Sequence, residues 1–205
     1  MKNIGILGRG KSLERLSEII DKFDDCFIVN DWRLEAMIFE DYLKGKRIIH
    51  FLNADRRSYL GCKIYRMLGI TRGFISWTKL HEAPGRGKIS RGKNTVVAAM
   101  NKYSKELYMR YMPDFLFDAC NNLNSAGLIC LLYVSLVLRP EAIWIAGIDF
   151  YCDDYLVRRR GTYRPLDTKK MAKDFMSIVN NYPYIIYSMV TKYTSLTSTN
   201  NLKIL

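Results

Sequence analysis

Nowhere does the chain hold the ~18 uninterrupted apolar residues that a membrane-crossing helix requires. Its most apolar stretch, "LICLLYVSLVL" at 128–138, is too short and predicts a buried helix. The opening residues carry no apolar core followed by a cleavage site, which predicts a chain without a secretory leader. Histidine is scarce: only His50 and His81 occur. The five cysteines, Cys26, Cys62, Cys120, Cys130 and Cys152, are odd in number and show no metal-type spacing. Cys26 and Cys130 sit in apolar runs and read as core residues. A reduced, cytoplasmic protein is expected, with any membrane contact peripheral, at an inner membrane surface. Acidic residues are also short: Asp plus Glu total 20 against 32 for Lys plus Arg, a net charge of +12.

That excess favours anionic partners: nucleotide phosphates, nucleic acid, or an anionic membrane or glycolipid surface. A merely solubilising surface is the alternative. About half of the 205 residues are apolar and a quarter charged, as in an ordinary globular protein, and the length suits one domain spanning 1–205.

Strands and helices alternate along the chain. "NIGIL" (3–7) reads as a strand. Residues 11–22 place Leu13, Leu16, Ile19 and Ile20 at helical spacing. Short apolar runs at 26–29, 47–51, 73–77, 142–150 and 184–190 predict further strands, and "FLFD" (115–118) a strand end. Helices are expected over 33–43, 95–112, 125–138 and 168–179. The Tyr- and Met-rich helix at 95–112 would offer a homo-oligomer contact face. The alternation predicts an α/β fold: a single Rossmann-like domain with a largely parallel sheet. Two basic segments interrupt it. Residues 79–94 hold three glycines and five Lys or Arg. Residues 152–167 are polar, carry Arg158, Arg159, Arg160 and Arg164, and are long enough for a lid.

In an open α/β sheet, ligands bind beyond the carboxyl ends of the strands. The first strand ends in Gly8-Arg9-Gly10, with Ser12 placed to cap the next helix. Glycines there permit close approach, and a helix N-terminus offers unpaired N–H groups to phosphate. The turn lacks the third Gly of a dinucleotide fingerprint and the Gly-Lys-Ser/Thr ending of a P-loop, so a plain tight turn remains an equal alternative. Later strands end at Asn30-Asp31, at Asn53-Ala54-Asp55 and at Gly147-Ile148-Asp149-Phe150-Tyr151. Either Asn also reads as a turn former. His50, beside an apolar strand, reads as a packed residue.

The segments "ILGRGKSL", "FIVND", "FLNAD" and "NNLNSAGLICLLYVSLVLRPEAIWIAGIDFY" together resemble the bacterial CMP-sialic-acid-dependent sialyltransferases that cap lipooligosaccharides. The likeness covers residues 3–55 and 121–151, and its late block is the most specific. It implies a CMP-sugar donor, a glycan or glycolipid acceptor, and direct displacement without a metal or other cofactor. On that resemblance Gly8, Arg9 and Gly10 approach the donor, with Arg9 standing where the family usually has Asn. Asn30 and Asn53 contact phosphate or nucleotide. Asn124 and Ser125 match a donor-touching pair, Asp149 belongs to the late block, and Tyr151 and Tyr155 match tyrosines that neutralise the leaving phosphate.

The resemblance fails at the general base, a His in the family's lid; here the lid reads "TYRPLDTKK". A positioned base is worth roughly 100- to 10,000-fold. Asp153, Asp154, Asp167 and the upstream His81 are the candidates. Three readings follow: a sialyltransferase-like glycosyltransferase, a degenerate relative that binds nucleotides or anionic glycans without turnover, and a nucleic-acid-associated protein resting on charge alone, which sparse aromatics make the weakest. The Asp-Asp pairs at 24 and 153 do not follow strands as metal ligands do.

Overall fold

The computed structural model describes residues 2–53, 63–76, 96–98, 108–120, 123, 125–152, 155–157 and 167–205. The expected helix over 95–112 lies partly outside them, and so do the basic loop 79–94 with His81, Cys62, Asn124, Asp153, Asp154 and most of the lid.

The fold is α/β with one sheet. Its strands are β1 (Asn3–Leu7), β2 (Asp25–Val29), β3 (Arg47–Asn53), β4 (Arg72–Ser76), β5 (Val96–Ala98), β6 (Tyr108–Tyr111), β7 (Ala142–Ala146), β8 (Ile186–Met189) and β9 (Leu202–Ile204). The spatial order is β5-β6-β4-β3-β2-β1-β7-β8-β9. Every pairing is parallel except that of β5 with β6.

A pleated strand sends alternate side chains to opposite faces. In β1 Ile4 and Ile6 enter one core and Leu7 the other; in β2 Phe27 and Val29 oppose Cys26 and Ile28; in β3 Phe51 opposes Ile48 and Leu52. Both faces are therefore apolar, which a parallel sheet requires because helices cover both sides. The first face is covered by α4 (Ala126–Tyr133) and α5 (Thr168–Asn181), the second by α1 (Glu35–Leu43) and the short α2 (Ile64–Met67). Every residue of α4 is buried, as its unbroken apolar sequence demands. It continues as a π-helical turn over Val134–Leu138, closed by Arg139 in the left-handed region (φ 47°).

Three expectations are corrected. Residues 11–22 form two 3₁₀ segments, Lys11–Glu18 and Ile20–Lys22, rather than an α-helix. Leu13 and Leu16 are buried, and the Ser12 N–H is drawn off to Asp149. Residues 96–98 and 108–111, expected within a helix, are strands. Their β-branched and aromatic residues suit a pleated surface, and β6 extends the open edge of β4. "FLFD" is helical, split between a 3₁₀ turn (Asp114–Leu116) and α3 (Phe117–Cys120). β9 and α2 had no signal in the periodicity. Cys26 and Cys130 are fully buried; desolvation pushes the Cys26 thiol up to about 12 and that of Cys130 well above its ordinary value.

Candidate functional site

Strands β1 to β4 step in one direction across the sheet and β7 to β9 step in the other. The reversal falls between β1 and β7, and a crevice opens at their carboxyl ends, where α/β sheets bind ligands. It is lined by Gly8, Arg9 and Gly10 after β1, Val29 at the end of β2 and Asn30 after it, Ser125 and Gly127 at the start of α4, Gly147 to Tyr151 after β7, Tyr155, and Met171 of α5. Eight of the residues singled out in the sequence thus meet in one place: Gly8, Arg9, Gly10, Asn30, Ser125, Asp149, Tyr151 and Tyr155.

The glycines are explained by the protein itself. Gly8 N–H donates to Ala146 O and Gly10 N–H to Gly147 O, both at 2.8 Å. A Cβ on Gly8 would overlap the Gly147 carbonyl, and one on Gly10 would overlap the Asp149 carboxylate. The turn is pressed against the end of β7, and Gly147 answers with φ 72°.

Ser12 does not cap its own helix. Its Oγ accepts from Gly147 N–H at 2.9 Å, and its N–H donates to Asp149 Oδ2 at 2.8 Å. Asp149 is buried, and its Oδ1 accepts from Lys192 N–H at 3.1 Å and from the Thr191 hydroxyl at 3.3 Å. This carboxylate is a clamp joining the β1 turn, the β7 loop and the segment after β8.

The N–H groups of Gly8, Gly10 and Ser12 are therefore spent inside the protein, and Leu13 N–H donates to Gly10 O at 3.0 Å. The phosphate-facing helix end expected after β1 is not open. At α4 it is: Ser125 stands at the N-cap without a side-chain cap bond, and Gly127 of the first turn lines the crevice. The first N–H groups of an α-helix lack intrahelical partners and carry the positive end of its dipole.

Asn30 adopts φ 62°, a conformation asparagine tolerates better than most residues. Its N–H donates to Phe51 O at 2.7 Å, and its carbonyl lies 2.5 Å from His50 Nε2. That carbonyl can only accept, so Nε2 carries the proton and Nδ1 accepts from the Tyr65 hydroxyl at 2.8 Å. His50 is fully buried, and desolvation lowers its pKa to about 4, partly opposed by the Asn30 bond. It braces the Asn30 turn from beneath. Phe150 and Tyr151 also take left-handed conformations, φ 52° and 59°; Phe150 is locked between Phe175 and Tyr193, each 5.4 Å away between ring centroids. Consecutive side chains held there store strain of a kind that concentrates at functional sites.

Over the turn lies the described part of the lid. Gly10 and Tyr155 form an antiparallel bridge, and Leu156 N–H donates to Arg9 O at 2.9 Å. The Tyr155 ring meets that of Tyr151 edge-on, centroids 5.9 Å apart, and Arg9 Cζ stands 4.4 Å from its centre. On its other side Arg9 Nε donates to Glu35 Oε1 at 2.9 Å, and the Glu35 carboxylate is fully buried. Sequence reasoning missed Glu35, which sits in the first turn of α1 without a local motif; only the fold brings it beneath Arg9.

Asp167 plays a structural part as the N-cap of α5, where its exposed carboxylate accepts from Lys170 N–H at 2.9 Å. Of Asn53 the backbone is placed, at the end of β3, with its ladder partner Ser76. Among the described residues, no three His, Cys, Asp or Glu side chains cluster as metal ligands would, and no helix is long and apolar enough to cross a membrane. The crevice encloses about 60 Å³, against the several hundred of a typical ligand site. Comparison with family models and with curated proteins finds no match for the chain.

Proposed function

We propose that the crevice holds the nucleotide end of a CMP-activated sugar, and that the protein is a metal-independent glycosyltransferase of the sialyltransferase type. The observation that carries this reading is the convergence of the Gly8–Gly10 turn, Asn30, Ser125, Tyr151 and Tyr155 on the switch-point crevice. Those residues lie far apart along the chain, and most fall in the stretches that carry the likeness to one family. In the proposed reaction an acceptor hydroxyl of a glycan or glycolipid attacks the anomeric carbon, and CMP leaves as its phosphate charge is taken up by hydrogen-bond donors in the crevice. The sugar is sialic acid or a similar acidic sugar. The protein's basic surface would draw it to an anionic membrane face on the cytoplasmic side, where such acceptors lie.

A second reading, a binding protein without turnover, is favoured by one observation. Among the described residues lining the crevice there is no histidine, and His50 is neutral and committed to Asn30 and Tyr65. No described group stands as a ready base, since Asp149 and Asp167 are engaged by the backbone.

Thermal unfolding with CMP, UMP, GMP or duplex DNA tests the proposal. CMP at a hundredfold excess over Kd should stabilise by about 2.7 kcal/mol, a Tm rise of roughly 5–10 °C for a domain of this size. Asn30→Ala and Tyr151→Phe should shrink that rise. Stabilisation by DNA but not by CMP would overturn the nucleotide-sugar reading. Mass spectrometry of CMP-sialic acid turnover then separates enzyme from binding protein.

A further inference from the structure

One donor in the crevice has no taker. The Arg9 side chain is nine-tenths buried, at 10 % exposure, and its Nη2 is shielded from water without a hydrogen-bond acceptor in the protein. Buried donors are nearly always paired, so a missing partner points to one that the protein does not itself supply. The rest of the guanidinium is held firmly. Glu35 grips Nε from below at 2.9 Å, and Tyr155 stacks against Cζ at 4.4 Å.

We propose that Glu35 is a positioning residue that presents Arg9 Nη2 as the oxyanion donor of the crevice, and that the group Arg9 takes is the phosphate of the ligand rather than its base or ribose. This deepens, and rests on, the nucleotide reading above. The glycine turn has little to offer an anion. Its N–H groups at Gly8, Gly10 and Ser12 are consumed by Ala146, Gly147 and Asp149. An anion in this crevice must find its donors elsewhere, and among the described residues that line it the α4 N-terminus and Arg9 carry positive charge, beside Asn30, Tyr151 and Tyr155.

Glu35 makes that arrangement sustainable. A guanidinium this far from water is costly alone and tolerable beside a carboxylate. Gripped at Nε and stacked on Tyr155, it is in place before a ligand arrives and loses little rotamer freedom on binding. The planar fork keeps a second nitrogen unpaired while Nε is held, which a lysine ammonium cannot reproduce. Asp149, the carboxylate nearby, is already surrounded by three donors of its own.

Isothermal titration calorimetry with CMP, cytidine and inorganic phosphate is the test. Wild type should bind CMP on the order of 10- to 100-fold more tightly than cytidine, the margin expected of a charge-assisted hydrogen bond. The double variant Arg9→Gln/Glu35→Gln removes both buried charges at nearly constant size, so its fold should persist; it should lose the margin and bind cytidine as wild type does. Glu35→Gln keeps an acceptor for Nε and should keep most of the margin, whereas Glu35→Met, similar in shape without an acceptor, should lose it. Thermal unfolding of the same samples verifies that each variant is folded. Equal affinity of wild type for CMP and cytidine would overturn the assignment of Arg9 and leave the nucleotide reading standing. Phosphate binding that disappears in the double variant, with CMP binding no better than phosphate, would do the reverse. A full margin in Glu35→Met overturns the role of Glu35, and no binding of any probe to wild type overturns both proposals.

Discussion

Gly10 shows how little room the crevice leaves for change. A methyl group there meets an Asp149 carboxylate pinned by three donors, and at Gly8 it meets the backbone of Gly147. Gly10→Ala should destabilise by about 1–3 kcal/mol, and Gly8→Ala by more, because a backbone carbonyl yields less readily than a side chain. Chemical denaturation would show both as a lower midpoint. Asp149→Ala tests the clamp from the other side. It strands the N–H groups of Ser12 and Lys192, each costing about 1–3 kcal/mol if left unpaired. The variant should lose at least about 2 kcal/mol and, if the clamp shapes the crevice, CMP-induced stabilisation with it. These residues were visible in the sequence as a glycine turn and a strand-end acid, but their purpose was not. Nothing local distinguishes a glycine required by a ligand from one required by a neighbouring strand 139 residues later, as Gly8 and Gly147 are.

At the level of elements, the buried strands of the sheet were the easiest to read, because a strand covered on both faces is written as a continuous apolar run. β1, β2, β3, β4 and β8 fall within about two residues of the runs that announce them. The apolar run for β7 continues to 150, and the strand stops at Ala146, at the Gly147 where the sequence places its end. Two of the failures, at 11–22 and within 95–112, share one cause. Segments 11–22, 96–98 and 108–111 have patterns that an α-helix would satisfy, and their conformations are decided by partners elsewhere: Asp149 and Gly147 for the first, the open edge of β4 for 108–111, and β6 in turn for 96–98. His50 was rightly read as packed, but its role in bracing Asn30 depends on β2 and β3 being neighbours. It also makes stability depend on pH. The folded pKa of about 4 lies below the unfolded 6.5. Between those values the unfolded chain binds the proton and the folded chain does not, so stability is full above about 6.5 and falls as pH drops toward 4. The span corresponds to on the order of 3 kcal/mol. A His50→Gln variant should show a flatter stability profile over that window in urea titrations at stepped pH.

For the whole molecule the dominant fact is charge. A net +12 repels itself, and salt screens that repulsion. Tm should rise between about 20 and 300 mM NaCl. Any binding to duplex DNA should weaken steeply over the same range, since it rests on counterion release, whereas CMP, if held by Arg9 as proposed, should lose far less. Fluorescence anisotropy against salt for both ligands would separate the two behaviours.

The segment after β8 returns to the β1 side of the sheet at several points: Thr191 and Lys192 on Asp149, Lys192 Nζ on Glu14 at 2.5 Å, and the Leu205 carbonyl on Arg15 at 3.2 Å. The frame of the crevice is thereby sewn to the last residues of the sheet. Proteolytic nicking within 190–205 would slacken the mouth while both apolar layers stayed intact, yielding a particle that still melts cooperatively yet has gone deaf to the nucleotide proposed for it.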